Sequence, residues 1–239
     1  MDSDWLKLQQ TVAQICPYLE TVDDILAPSA DASAFIALYE RVVRQYPEAG
    51  AAFAKTRLYG LLFWQPFFLA FISIYATDKL VRLKDLKQYT QPLFVKGVGI
   101  VKPEFISADK ESLIHFAVRD IQRLSEHYIE QIGPQYLPRE RMMRRLLCDQ
   151  LLGCFVHLEP LWLNYSINYR LEQASLWLDA FGFKQQALNQ LSFQDHQLAM
   201  VRDTCCLAYK CQGRQYCRNC PLSKKPQQTL SRSHHAKLS

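Results

Sequence analysis

The sequence predicts a mainly α protein: a helix-rich single domain with a small β-hairpin and a cysteine-rich C-terminal segment. Three observations carry this. Apolar residues recur at three- and four-residue steps through most of the first 190 positions, and Pro or Gly breaks the runs. One stretch, Pro92 to Pro103, changes to β-type runs. Five of the eight cysteines, Cys205, Cys206, Cys211, Cys217 and Cys220, crowd into residues 202–222.

The elements follow in chain order. Residues 3–16 form an opening helix with Ser3 as a cap and Pro17 as a stop, and Cys16 at its end reads as a buried small hydrophobe. Asp31 or Ser33 caps a second helix running to Tyr46, with Phe35, Leu38, Val42 and Val43 on one side and Pro47 ending it. Residues 49–76 hold the most apolar stretch, long enough to suggest a membrane span. Gln65-Pro66 divides it, and Lys55, Arg57, Asp78 and Lys79 bracket it. The expectation is two buried core helices meeting at Pro66, with peripheral membrane contact as the lesser reading.

Two short β-type runs flank Lys96-Gly97 and suggest a hairpin that leans on the helices, since two strands alone are marginal. Residues 109–132 give the clearest helix, with Leu113, Ala117, Ile121, Leu124 and Tyr128 in register and Gly133-Pro134 as the stop. Another runs from about Pro138 to Leu158, with Leu147, Leu151 and Phe155 aligned. Pro160 breaks it, and a further helix reaches about Phe181, where Gly182 can close it. Residues 184–191 make a last short helix. This organises the chain as a helical body over 1–200, a cysteine segment over 201–222 and a flexible basic tail over 223–239.

Composition narrows the class. With 239 residues, 49% of them hydrophobic, the chain can bury a core without disulfide staples and is not a disordered sequence. Its start, Met-Asp-Ser-Asp-Trp-Leu-Lys, has acids where a signal peptide has an apolar run, so a cytoplasmic location is expected. In that reducing setting, clustered cysteines point to metal more than to disulfides. Charge is uneven: after residue 200, Asp203 is the only acid against eight Lys and Arg, while the whole chain carries +5. The cysteine segment therefore sits in a positive field on a nearly neutral body.

The cysteine pattern is an adjacent pair, a ten-residue gap and a Cys-x-x-Cys closed by Pro221. Adjacent side chains in extended backbone point apart, so Cys205 and Cys206 have difficulty clasping one tetrahedral ion, whereas a multi-iron cluster accepts divergent thiolates. Gly213 offers the turn that lets the chain double back. On these grounds an iron–sulfur cluster leads, with zinc and disulfide or redox thiols as alternatives.

Arg-Asp-Thr-Cys-Cys-Leu-Ala-Tyr-Lys with Cys217-Arg-Asn-Cys220-Pro-Leu resembles the C-terminal signature of the FhuF-like ferric-siderophore reductases, Cys-Cys-x10-Cys-x2-Cys. Cys205, Cys206, Cys217 and Cys220 fall on the four motif cysteines, and Arg202 and Tyr209 on the flanking basic and aromatic places. The resemblance covers about residues 202–222. It implies that these four cysteines bind a [2Fe–2S] cluster that reduces Fe(III) in an imported siderophore, most often a hydroxamate, with an electron-donor protein or reductant upstream. No residue then serves as general acid or nucleophile, and no nucleic acid is involved. Two features depart from the family pattern: Cys211 is an extra thiol, and Gln212-Gly213 stands where the family often has Pro-Gly.

Lys210, Arg214 and Arg218 are candidates to raise the cluster potential, dock an acidic donor or attract an anionic iron complex. Elsewhere the sequence favours plain structural roles. Cys148 and Cys154 read as core, as do Trp64, Trp162 and Trp177. His115, His127 and His157 read as isolated helix residues, His234-His235 as tail residues, and Arg139, Arg141, Arg144 and Arg145 as a solvated helix start. Two other function classes compete: an iron- or redox-sensing regulator that binds nucleic acid with its basic end, and a zinc-stabilised interaction domain.

Overall fold

The computed structural model describes residues 3–22, 30–194 and 197–223. The tail expected over 223–239, apart from Ser223, and the pair His234-His235 lie outside the described residues. Seven α-helices and three short antiparallel strand pairs make up the described part, so the mainly α expectation holds.

Helices α1 (Ser3–Ile15) and α2 (Ala32–Gln45) follow their local signals. The Asp31 carboxylate accepts from the Ala34 amide at 2.9 Å and caps α2. Cys16 is buried where α1 ends.

The apolar stretch departs from expectation. It is one 28-residue helix, α3 (Gly50–Thr77), that runs through Pro66 without a break. Proline lacks the amide that would bond to the Leu62 carbonyl four residues back. That carbonyl instead accepts from Gln88 Nε2 at 3.1 Å, and the same amide group donates to Gln65 Oε1 at 2.9 Å. Tyr128 closes the network by donating to Gln88 Oε1. A long-range side chain thus supplies the donor the proline lacks, and the helix continues. The window of α3 long and apolar enough to cross a membrane is 94% buried in the protein, against α1, α2 and three helices farther along.

After α3 come β1 (Leu80–Val81), β2 (Leu86–Gln91), β3 (Phe94–Ile100) and β4 (Phe105–Ile106); β1 pairs with β4 and β2 with β3. The hairpin expected here exists, but its turn is Pro92-Leu93. Lys96-Gly97 lies inside β3, where the register shifts opposite Gln88–Thr90. Gly97 has φ +94°, and a Cβ there would lie 3.2 Å from Val22 and 3.3 Å from the Tyr89 ring. Its glycine serves a bulge rather than a turn.

Helix α4 (Lys110–Ile132) is capped by Asp109, which accepts from the Ser112 amide, and Gly133 ends it. Next come α5 (Glu140–His157), a single turn α6 (Glu159–Trp162) and α7 (Ile167–Ala180). The helix expected between Pro160 and Phe181 is therefore in two pieces. Ser166 breaks it by capping α7 through the Tyr169 amide. Gly182, at φ +63°, closes α7, and residues 185–190 form a 3₁₀ turn. The hairpin of β5 (Leu191–Gln194) and β6 (Gln197–Met200), without a long apolar signature in sequence, then delivers the chain to the cysteine segment beside α5.

Candidate functional site

The cysteine segment folds back on itself. The Arg202 amide donates to the Asn219 carbonyl at 3.0 Å, bringing the two halves of the motif together. The doubling is made at Cys211–Arg214, where the Arg214 amide reaches the Cys211 carbonyl and Gly213 takes φ +75°. Tyr209 and Tyr216 lie across this loop with ring centroids 4.9 Å apart.

As expected of adjacent residues, Cys205 and Cys206 diverge. Cys206 Sγ lies 3.9 Å from Cys217 Sγ, while Cys220 is near enough to Cys205 to raise its thiol further after burial. All the cysteines are free thiols. Among the described residues, no three His, Cys, Asp or Glu side chains gather closely enough to hold a single metal ion, and the thiols act on one another across the segment, Cys206 on Cys205 and Cys220 on Cys217. Leu207 adopts the left-handed conformation at φ +60°, and its amide donates to Cys205 Sγ at 3.4 Å. An amide aimed at a sulfur stabilises thiolate, which is the form that binds metal. Burial, then the neighbouring thiols Cys206 and Cys220, push Cys217 up to about 12. Burial likewise raises Cys205.

Cys211 stands apart. It is 2% exposed and packs with the apolar core, and burial raises its thiol. No described hydrogen bond joins it to the other four sulfurs.

The segment is bolted to the body through Asp149, a residue the sequence reading passed over. Its carboxylate, buried on α5, accepts from the Asp203 amide (2.9 Å), the Thr204 amide (3.0 Å), the Thr204 hydroxyl and Arg202 Nε (3.3 Å). An acid within Leu146-Leu147-Cys148-Asp149-Gln150-Leu151-Leu152 was the available signal: such a charge stays buried only with a partner. Beside it Arg145 donates to the Asp203 carboxylate at 2.6 Å and to its carbonyl at 2.7 Å. Arg144 reaches the Gly182 carbonyl and lies over Phe183. Arg144 and Arg145 thus face solvent as expected and at the same time hold neighbouring segments. On the far side, Glu48 accepts from the Gln212 amide at 2.7 Å, and Arg214 stacks on Tyr46 and donates to its hydroxyl.

Next to Cys206 opens a cavity of about 510 Å³, bounded by α3, α5 and the cysteine segment. Arg57, Arg202 and Arg214 line it, together with Asp149 and a wall of Tyr18, Trp64, Phe68 and Phe94. Arg57 is half-buried over the Phe94 ring, 5.0 Å from its centroid, and burial and Arg214 lower its pKa. His157 is also at the cavity; desolvation by the surrounding protein, with Arg202 and Arg218, lowers its pKa. His115 and His127 face solvent, whereas His157 keeps an exposed edge at the cavity rim while protein crowds the rest of its ring. Trp162 and Trp177 are core, but Trp64 is half-buried at the cavity wall, donating to the Val95 carbonyl at 3.2 Å. Cys148 and Cys154 are buried.

Residues 202–222 match the family described as the FhuF 2Fe–2S C-terminal domain. No solved structure matches the chain. The segment is of the FhuF type, and its cofactor is a [2Fe–2S] cluster. The thiols present fit that group. Two thiolates sharing one tetrahedral metal at bond lengths of about 2.3 Å sit roughly 3.8 Å apart, close to the Cys206–Cys217 separation of 3.9 Å. Soft sulfur donors, with a backbone amide on one of them, are the donor set an iron–sulfur centre takes.

Proposed function

We propose that this chain is a cytoplasmic ferric-siderophore reductase, with Cys205, Cys206, Cys217 and Cys220 as the ligands of its [2Fe–2S] cluster. The body over residues 1–200 carries the substrate, and residues 201–222 carry the cofactor. The observation behind this reading is the set of neighbouring thiols beside an open, cation-lined cavity, within a segment of FhuF type.

When bound, the cluster supplies single electrons without forming a bond to its substrate, so approach and orientation are what the protein must provide. The chain's residues do this in three ways. Asp149 and Arg145 fix the start of the cysteine segment on α5, which holds Cys206 at the cavity rim. The aromatic wall gives an apolar surface for an organic chelate. The arginines at the cavity favour an electron-rich guest.

The reaction is one electron from an external donor protein or reductant, delivered to Fe(III) in an imported siderophore complex of hydroxamate type. Fe(III) becomes Fe(II), which hard oxygen donors hold far more weakly, and the metal leaves the chelate.

The test is an anaerobic visible and EPR titration. Reduced protein is expected to lose its [2Fe–2S] signal when a ferric hydroxamate is added, with one Fe(II) formed per electron; a signal that ignores every ferric complex overturns the reductase reading. Cys217→Ser and Cys220→Ser are expected to bleach the protein, whereas Cys211→Ser keeps the visible spectrum. A full cluster in either of the first two variants overturns the ligand assignment.

A further inference from the structure

The cavity beside Cys206 has a built polarity that the cysteine motif does not explain. Its volume, about 510 Å³, falls in the roughly 300–1,000 Å³ range of small-molecule sites. One face of α3 lines it, through Arg57, Gly60, Leu61, Trp64 and Phe68, residues three and four apart along the helix.

Charge at this site is unbalanced. Asp149 is the acid of the lining, and its carboxylate is already engaged by Arg202, two backbone amides and the Thr204 hydroxyl. Arg57 lies over Phe94 with no carboxylate partner among the described residues. Arg214 rests on Tyr46 in the same way. Two guanidinium groups are thus left without a carboxylate partner among the described residues at the mouth of a cavity. Guanidinium is the side chain best suited to carboxylate and to aromatic faces.

The second observation is independent of charge. Gly60 stands in the middle of a long helix, where glycine costs stability relative to alanine. A Cβ built there meets no atom within 4 Å. Neither a tight helix contact nor an unusual backbone angle calls for this glycine. The missing side chain leaves room in the cavity.

We propose that this cavity is the docking site for the ferric complex, and that it selects complexes of net negative charge, with Arg57 as the specificity residue. The inference rests on the reductase reading and narrows its substrate class. Two chelate chemistries carry such charge: hydroxamates built on a carboxylate-bearing backbone, and tris-catecholates. A simple trihydroxamate complex is neutral and is expected to bind weakly.

The test uses holoprotein with its cluster and redox-inert gallium(III) in place of iron, so that binding is read without turnover. Intrinsic tryptophan fluorescence and calorimetry follow three chelates: a neutral trihydroxamate, a citrate-bridged dihydroxamate and a tris-catecholate. At least one anionic complex is expected to bind well above the neutral one, and the arm that does so identifies the source of the charge. In Arg57→Gln the preference is expected to fall by roughly 10- to 100-fold, the range for losing one hydrogen bond to a charged group. Arg57→Lys is expected to restore part of it. Gly60→Leu is expected to fill the cavity and weaken all three complexes while the visible spectrum of the cluster is retained.

Equal binding of neutral and anionic chelates, or binding that Gly60→Leu leaves untouched, overturns the proposal. So does an Arg57→Gln variant that moves only the cluster potential, which would assign Arg57 to the cofactor. Failure of the reductase reading looks different: gallium complexes still bind with the charge preference, but the reduced protein passes no electron to their iron counterparts.

Discussion

At the scale of single residues, Asp149 carries more of the site than any cysteine neighbour. One carboxylate answers two amides, a hydroxyl and a guanidinium, and all of them belong to residues 202–204. Asp149→Ala leaves these donors without their acceptor. Breaking a buried charged pair costs about 3–5 kcal/mol; Arg202 keeps a quarter of its side chain in solvent, so the lower end is expected here. The loss should appear as faster cluster release and a loosened segment in hydrogen exchange, with the helical signal of the body retained. Unchanged cluster lifetime would assign the anchoring to Arg145 and Glu48 instead. The cysteine segment and its cofactor class were legible in sequence because the spacing is local and chemical. Asp149 shows in sequence only as an acid in an apolar run; its partners were illegible because they lie more than fifty positions away.

At the scale of elements, local signals and long-range ones separate cleanly. Asp31 and Asp109 cap their helices as expected, because an N-cap is a matter of three or four consecutive residues. Pro66 and Gly97 carry the same kind of local signal, yet neither does what it suggests. The partners that decide their roles, Gln88 for the first and Tyr89 with Val22 for the second, come from other elements. A double-mutant cycle tests the account of α3. Gln88→Leu strips the Leu62 carbonyl of its donor and is expected to cost about 2–3 kcal/mol, in the range for a buried polar group left unsatisfied. Adding Pro66→Ala restores an amide to that carbonyl and is expected to recover about 1 kcal/mol of the loss. Additive effects in urea unfolding would show that the two residues act separately. The short pairs β1–β4 and β5–β6 left little trace in sequence, since strands of two to four residues hold no period to read.

At the scale of the whole molecule, body and cysteine segment have different sources of stability. The body packs its apolar side chains around α3, whereas within residues 202–222 only Cys211 and Cys220 rank among the buried hydrophobic residues described. The segment is held by hydrogen bonds and ion pairs to α5 and to residues 46–48. Iron removal by an anaerobic chelator is therefore expected to abolish the visible absorbance while far-UV circular dichroism and cooperative unfolding of the body persist. Collapse of the helical signal on chelation would mean that the cluster is a structural staple for the entire chain. This division is also why fold class could be read from periodicity and cofactor class from spacing, while the cavity between them could not. Its walls come from α3, α5 and the segment, and no single window of sequence contains it.

The closeness of the sulfurs sets a clock on repair. On the proposed ligand assignment iron occupies all four thiols; once iron has gone, Cys206 and Cys217 are left as a dithiol with sulfurs 3.9 Å apart, and Cys220 remains the neighbour that raises Cys205. Molecular oxygen, taking two electrons and two protons from a dithiol and leaving as hydrogen peroxide, then has only a short closure to complete before Cys206 and Cys217 are locked as a disulfide. Damage by oxidant and recovery by reassembly thus compete for the same sulfurs, and a protein bleached in air is expected to regain colour from iron and sulfide only after a thiol reductant has reopened the Cys206–Cys217 bond.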